Sequence, residues 1–319
     1  MRNFISEDDI EQAILSKLKD QPFKYDILIC DADPSKRDDL NDGTGRNSKK
    51  ECVLPDIMLS SLKRINPTIE EDKIKEIVKT LRQDYTGTDI VDTNYKLYRQ
   101  IRNNIKITVR RNGKEDFDFV KLIDFEHPDN NTFTAVSQMW IQGKVYYRRP
   151  DILIFVNGMP LVFIELKNSI VKVEEAYNKN LKDYMRDIPN LFAFNQICVL
   201  SNGLETKLGA FTATYDYFFE WLKIDSEKEK LDREAILAAD NVKDSSVRYF
   251  VDGILNKDRL IDYIENFILF ENQRIKIIAK NHQYLGVNNL MESVENRKEL
   301  NGKLGVFCVC GLFGCVWFL

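Results

Sequence analysis

Apolar positions change their spacing in blocks along this chain, and the blocks predict its elements. Ser6 with Asp9 makes a capping box ahead of Ile10, Ile14 and Leu18 at helical spacing. Tyr25–Cys30 reads as a short strand, and residues 34–51, PSKRDDLNDGTGRNSKKE, lack any period and read as a solvated loop. From Asp56 to about Asn104 amphipathic helices are expected in LSSLKRI, in IEEDKIKEIVKTLRQ and through Tyr95, Tyr98 and Ile101. Alternation then takes over at Ile105–Arg110 and Phe117–Phe125, joined by Asn112-Gly113, and again at Phe133–Trp140 and Val145–Tyr147. Two apolar runs, Ile152–Val156 and Leu161–Ile164, flank Asn157-Gly158, a strong hairpin signal.

Beyond the hairpin, Val173, Ala176, Tyr177, Leu181 and Tyr184 form one helical stripe that Pro189 ends. Gln196–Leu200 reads as a buried strand, followed by a strand-like run at Ala210–Thr214 and an aromatic cluster from Tyr215 to Trp221. After Ser226 the sequence turns charged and helical, through SEKEKLDREAILAAD and KDRLIDYIENFILF. An αβββαβ order predicts an α/β (α+β) fold, a mixed sheet flanked by helices with a C-terminal helical region. The expected division is 1–225 for the sheet domain, 226–304 for a helical linker, and 305–319 for an apolar tail. That tail, GVFCVCGLFGCVWFL, carries no charge and reads as a non-native or truncated end rather than a functional element.

The rims of the central hairpin carry charge. Asp151 opens the first run, while Glu165 and Lys167 close the second. Buried charges are costly unless they are paired or bind a metal. Mg²⁺ prefers carboxylate oxygen, which Asp151 and Glu165 supply, and Lys167 shares the strand face of Glu165, where an ammonium can orient water. Register decides whether the three meet. A regular two-residue turn at Asn157-Gly158 would set Asp151 opposite Ile164, with its side chain facing away from Glu165. An odd-numbered loop, with Pro160 outside the pairing, or a bulge is therefore expected.

An Asp, thirteen residues, then Glu-x-Lys across a hairpin resembles the PD-(D/E)xK nuclease pattern. More specifically, three blocks resemble the N-terminal endonuclease region of the R subunit of type I restriction–modification enzymes. They are RRPDILIFVNGMPLVFIELKNS at 148–169, NLKDYMRDIPNLFAFNQICVLSNG at 180–203, and the stretch from Ile264 to Phe307. The resemblance implies a Mg²⁺-dependent endonuclease acting on foreign double-stranded DNA, with Asp151, Glu165 and Lys167 as catalytic residues and the two carboxylates as metal ligands. It also implies active-site support from Asn180 and Tyr184, where the family has a Gln-x-x-x-Tyr pair; here Asn replaces Gln. Methyltransferase and specificity subunits are the implied partners, in the cytoplasm and without a membrane. The family's ATP-driven motor follows KLGVF, yet no G-x-x-x-x-G-K-[ST] occurs in this chain, so an ATP site is expected only in a full-length subunit. His282-Gln283-Tyr284 would belong to a helical lead-in to that motor. Two rival readings remain: a non-catalytic docking module of the restriction complex, and a repair-type nuclease or junction resolvase.

Composition narrows the DNA contacts. Net charge is −4, so any nucleic-acid surface must be a local patch. Arg148, Arg149 and Lys182 are the expected DNA-binding residues, with Lys144 and Lys179 nearby. Arg99, Arg102, Lys106, Arg110 and Arg111 form a second basic stretch. Six Cys show no disulfide framework, and two distant His make a zinc site or a catalytic triad improbable.

Overall fold

The structure, a computed structural model, describes residues 4–226 and 228–295, and the backbone alone of strands at 307–311 and 314–318. Helix α1 (Glu7–Lys19) starts at the expected capping box, with Ser6 Oγ accepting from Asp9 N–H and the Asp9 carboxylate accepting from Ser6 N–H. Strand β1 (Asp26–Ile29) follows, then α2 (Pro55–Ile65), α3 (Glu71–Leu81) and α4 (Ile90–Asn103). Strands β2 (Ile105–Arg111) and β3 (Lys114–Val120) form the hairpin expected at Asn112-Gly113, as a separate two-stranded ribbon. The second strand starts and stops earlier than its alternation suggests.

The core strands are β4 (Phe133–Ser137), β7 (Ile152–Val156), β8 (Met159–Leu166) and β9 (Ile197–Ser201), all fully buried, with a two-residue pair β5 (Ile141–Gln142) and β6 (Tyr147–Arg148) between β4 and β7. Strands β10 (Thr206–Gly209) and β11 (Phe219–Glu220) complete a seven-stranded mixed sheet in the order β1-β4-β7-β8-β9-β10-β11. The β1/β4 and β8/β9 pairs are parallel. The strand-like run at Ala210–Thr214 is thus displaced: Thr206–Gly209 takes the ladder beside β9, and 210–214 turns away.

Helices cover both faces. Ile10, Ile14 and Leu18 of α1 pack with Ile152, Ile154 and Ile164 on one face. Leu153, Phe155 and Phe163 point to the other, under Val173, Leu181 and Tyr184. The second cover is a composite helix: α5 (Val173–Glu175), a π-helical turn (Ala176–Leu181) and α6 (Lys182–Asp187). The C-terminal region contributes α7 (Arg233–Leu237), α8 (Val247–Ile254), α9 (Lys257–Asn266) and α10 (Asn281–Glu295). The helical reading of IENFILF fails at its end. Ile268–Glu271 (β12) pairs with Ile275–Ile278 (β13), and Phe250, Tyr263 and Tyr284 join the core that holds Ile154. The backbone of the tail pairs as β14 (Phe307–Gly311) and β15 (Gly314–Phe318); its side chains, and residues 296–306, lie outside the described residues.

Residues 34–51 form the surface loop their composition suggests, most of it exposed, but the loop closes on a buried charge cluster. Asp42 accepts from Arg46 at 2.8 Å and Lys49 at 2.6 Å, all three nearly inaccessible, and Arg46 also donates to the Glu51 and Trp140 carbonyls. The two cations hold the Asp42 carboxyl down at about 2 against its burial. Local sequence shows charges; only the fold shows that they satisfy one another.

Candidate functional site

The central hairpin turns through Asn157 (φ 49°) and Gly158 (φ 78°), a two-residue turn that requires left-handed backbone. A side chain at Gly158 would stand 2.5 Å from the Leu54 carbonyl oxygen, so the turn is seated against the start of α2. Asn157 pins it further, donating to Leu122 O at 2.9 Å and accepting from Thr132 N–H at 2.8 Å. Val156 pairs with Met159 and Phe155 with Pro160, which corrects the expectation that Pro160 stays outside the pairing. The ladder then slips by one residue at Leu161, so Ile154 faces Val162 and Ile152 faces Ile164. That bulge is the expected register change. It carries Asp151 opposite Glu165, on the face covered by the composite helix.

Asp151 Oδ2 accepts from Leu166 N–H at 2.7 Å, which fixes its carboxylate at the end of β8. Lys167 Nζ lies 3.2 Å from Glu165 Oε1 and 2.6 Å from the Leu166 carbonyl. Glu165 is only 2% exposed, and its other oxygen, Oε2, has no hydrogen-bond partner among the described residues. Burial first, and then the Asp151 charge, push its carboxyl well above the ordinary range. Burial also pushes Asp151 up to about 6, against the Leu166 N–H and the Lys167 charge. Two carboxylates with one ammonium leave the centre short of positive charge.

Tyr184 reaches this centre from α6, edge-on to Phe163; its hydroxyl donates to the Arg149 carbonyl at 3.2 Å and also faces the Glu165 carboxylate. Burial and the two carboxylates hold its phenol in the protonated form. Asn180, half-buried at the end of the π-helical turn, turns toward the Tyr184 hydroxyl. The expected DNA contacts are less free than their sequence positions suggest. Arg148 is gripped by Asp187 and by Asp183 at 3.2 Å. Lys182 donates to Asn178 at 2.9 Å and lies over the Tyr177 ring. Arg149 stacks over Trp140 at 5.2 Å and senses the charge of Glu11.

Glu11 is the residue that sequence reasoning missed. It is 7% exposed and reaches past the end of β4, accepting from Ser137 Oγ at 2.5 Å and Gln138 Nε2 at 2.5 Å. Gln138 links it to Asp151: its Nε2 is 3.4 Å from Asp151 Oδ1, and its N–H donates to the Asp151 carbonyl at 2.9 Å. Gln138 holds φ at 58°, a strained value for a residue with a side chain, and its Oε1 is buried without a partner among the described residues. The available signal was weak, a Glu beside Ile10 on an otherwise amphipathic helix.

A second group of possible metal ligands, Asp124, Glu126 and His127, gathers before β4. It belongs to the far end of the sheet. Asp124 N–H donates to Asn131, which also contacts Asn157 at the hairpin turn, the whole length of β7 from Asp151. Five strand residues span about 17 Å, too far for one ion to serve both. Asp124 is also engaged already by Asn130 and by the His127 N–H.

Fold and site together describe a sheet domain that gathers carboxylates and one lysine at the rim of a bulged hairpin. Residues 4–217 match the model of the type I restriction enzyme R protein N terminus, and the chain belongs to that family. It is 32% identical over 298 residues to the HindI endonuclease subunit of Haemophilus influenzae, covering 91% of this chain and 27% of that protein. The putative MjaIXP endonuclease subunit of Methanocaldococcus jannaschii is 32% identical over 267 residues, covering 77% of this chain and 24% of that protein. The EcoprrI endonuclease subunit of Escherichia coli is 25% identical over 185 residues, 56% and 54% of the two chains. The chain thus spans about a quarter of the length of the first two relatives. Among the described residues no helix is long and apolar enough to cross a membrane.

Proposed function

We propose that this chain is a PD-(D/E)xK endonuclease module that hydrolyses phosphodiester bonds in double-stranded DNA with Mg²⁺. One observation carries the reading: a carboxylate pair, Asp151 half-buried and Glu165 buried, whose Glu165 Oε2 has no hydrogen-bond partner among the described residues. An unpaired buried acceptor costs about 1–3 kcal/mol, more when charged, and a bound cation removes that cost. The donor set fits a hard divalent ion, since Asp151 and Glu165 offer oxygen and, among the described residues, neither His nor Cys hydrogen-bonds to them. Mg²⁺ bound there would polarise the phosphate and lower the pKa of a coordinated water. Lys167, 3.2 Å from Glu165, holds a water or a phosphate oxygen in line. Tyr184 covers the carboxylates on the helix side, and Asn180 fixes its hydroxyl. Glu11, through Gln138, sets the orientation of Asp151.

The family points to work beside methyltransferase and specificity subunits in the cytoplasm, with an ATP-driven motor elsewhere in the full subunit. A repair nuclease loses ground against the family match, and a pure docking module gives no reason to keep two carboxylates and a lysine together beside the hairpin. The test is a divalent-metal titration of plasmid nicking by wild type and Lys167→Ala. Metal-dependent nicking that disappears in the variant supports the assignment. Nicking that survives it, or is absent from wild type, rejects it.

A further inference from the structure

Between β5 and β6 the chain forms a tip, Gly143–Tyr146, that the endonuclease reading leaves unused. Val145 is 76% exposed and Tyr146 56%, and the neighbouring Lys144 is exposed without an ion-pair partner among the described residues. The tip is firmly held. Gly143 N–H donates to the Tyr146 carbonyl at 2.8 Å, and Gln142 N–H to Lys49 O at 2.9 Å. A Cβ at Gly143 would lie 1.8 Å from the Asp187 carbonyl oxygen, so only glycine seats the hairpin on the end of α6. Arg148 ties it to Asp183 and Asp187 of the same helix, and Arg37 covers Tyr147 at 4.2 Å. That helix also carries Tyr184 to the carboxylates. Five Cα–Cα steps lead from Tyr146 to Asp151. They span at most about 18 Å, or about five nucleotides of one strand.

We propose that this tip is a wedge for duplex DNA, with Val145 and Tyr146 inserting at a base step in the minor groove and Lys144 on the flanking backbone. The proposal rests on the endonuclease reading and adds how the duplex reaches the site. Glu165 is only 2% exposed, so a phosphate drawn toward it has to leave the path of a helix resting on the surface. Apolar side chains that part a base step bend DNA and widen the minor groove, and a neighbouring cation holds the phosphate. Two exposed apolar residues fall far short of the roughly 800 Å² per partner that a stable protein interface buries. Continuity with the site through Arg149 also favours the substrate as the occupant.

The experiment uses the full chain with Ca²⁺ in place of Mg²⁺, and reads the affinity for a labelled duplex at low salt by anisotropy. Val145→Ser with Tyr146→Ser should weaken binding of intact duplex about tenfold. A duplex opened by a two-nucleotide gap should recover most of that loss, because the wedge is no longer needed. Metal affinity without DNA should stay unchanged, and Val145→Ser alone gives a milder variant. Unchanged affinity for intact duplex overturns the wedge, as does an equal loss on intact and gapped DNA. Intact DNA affinity with lost binding to purified methyltransferase and specificity subunits makes the tip a protein contact and also overturns it. The two readings fail separately: wild type that never cuts with Mg²⁺ sinks the endonuclease, while duplex affinity indifferent to the tip sinks the wedge.

Discussion

Asp151→Asn isolates what the metal-free fold spends on a carboxylate beside Glu165. The Asp151 carboxyl is pushed up to about 6 from 3.8, by burial first and with a share from Glu11. The folded chain therefore holds this proton more tightly than the unfolded chain. Below about pH 4 both states are protonated and the group leaves stability unaffected. As pH rises from about 4 to 6 the unfolded chain ionises first, stability falls, and above that window the full penalty stands. Two pH units correspond to about 3 kcal/mol, reduced to about 1–3 because Asp151 is half-buried and water screens it. In EDTA the Asn variant should match wild type near pH 4 and exceed it by that amount near pH 8. Thermal unfolding followed by circular dichroism would show a Tm higher by about 2–6 °C. Millimolar Mg²⁺ should reverse the ranking, since it stabilises only the chain whose carboxylates can bind it. A variant no more stable than wild type near pH 8 in EDTA would mean that the bond from Leu166 N–H outweighs desolvation, and the argument would fail.

Lys167→Ala should keep divalent-metal affinity by calorimetry while nicking slows about 10²–10⁴-fold; equal losses of both would make the lysine structural. Glu11→Gln removes a charge that raises the Asp151 carboxyl, so the acid limb of the pH–rate profile should move to lower pH. An unmoved limb would uncouple Glu11 from the site. Arg148→Ala should lower stability by about 1–3 kcal/mol, because it strips the buried Asp187 of one cation, whereas Arg149→Ala should weaken DNA binding more. Matched Tm values with DNA affinity lost only at Arg148 would invert those roles. Nicking should also be indifferent to ATP, since no phosphate-cradling loop occurs in the sequence; ATP hydrolysis by this chain would contradict that.

Much of the site was legible because parity is a property of the chain alone. Asn157-Gly158 fixes a two-residue turn, a carboxylate pair has to share a face, and the two conditions agree only if one strand carries an extra residue. The bulge at Leu161 meets that requirement. Its position was not legible, since Leu161 and its neighbours are equally apolar and the choice depends on how α2 seats Gly158. Local propensity failed elsewhere for related reasons. IENFILF has a helical stripe, yet its last residues pair with Ile275–Ile278, a partner that its own pattern does not contain. Most charges of 34–51 are exposed as expected, but the buried cluster of Asp42, Arg46 and Lys49 was not legible because sequence shows each charge singly.

Glu11 marks the deeper limit. An acidic residue on an amphipathic helix is ordinary, and no spacing relates it to Asp151, 140 positions away. Three facts of the fold bring them together: the capping box that fixes the phase of α1, the end of β4 at Ser137, and the left-handed turn of Gln138. Only the last is strained, and strain persists where its surroundings over-determine it. Gln138 is held at both ends, by its N–H on the Asp151 carbonyl and by its amide between two carboxylates. The residue that breaks the strand is therefore the one that joins helix and hairpin into a single centre, and a helix phase set at Ser6 becomes a property of the carboxylate at Asp151.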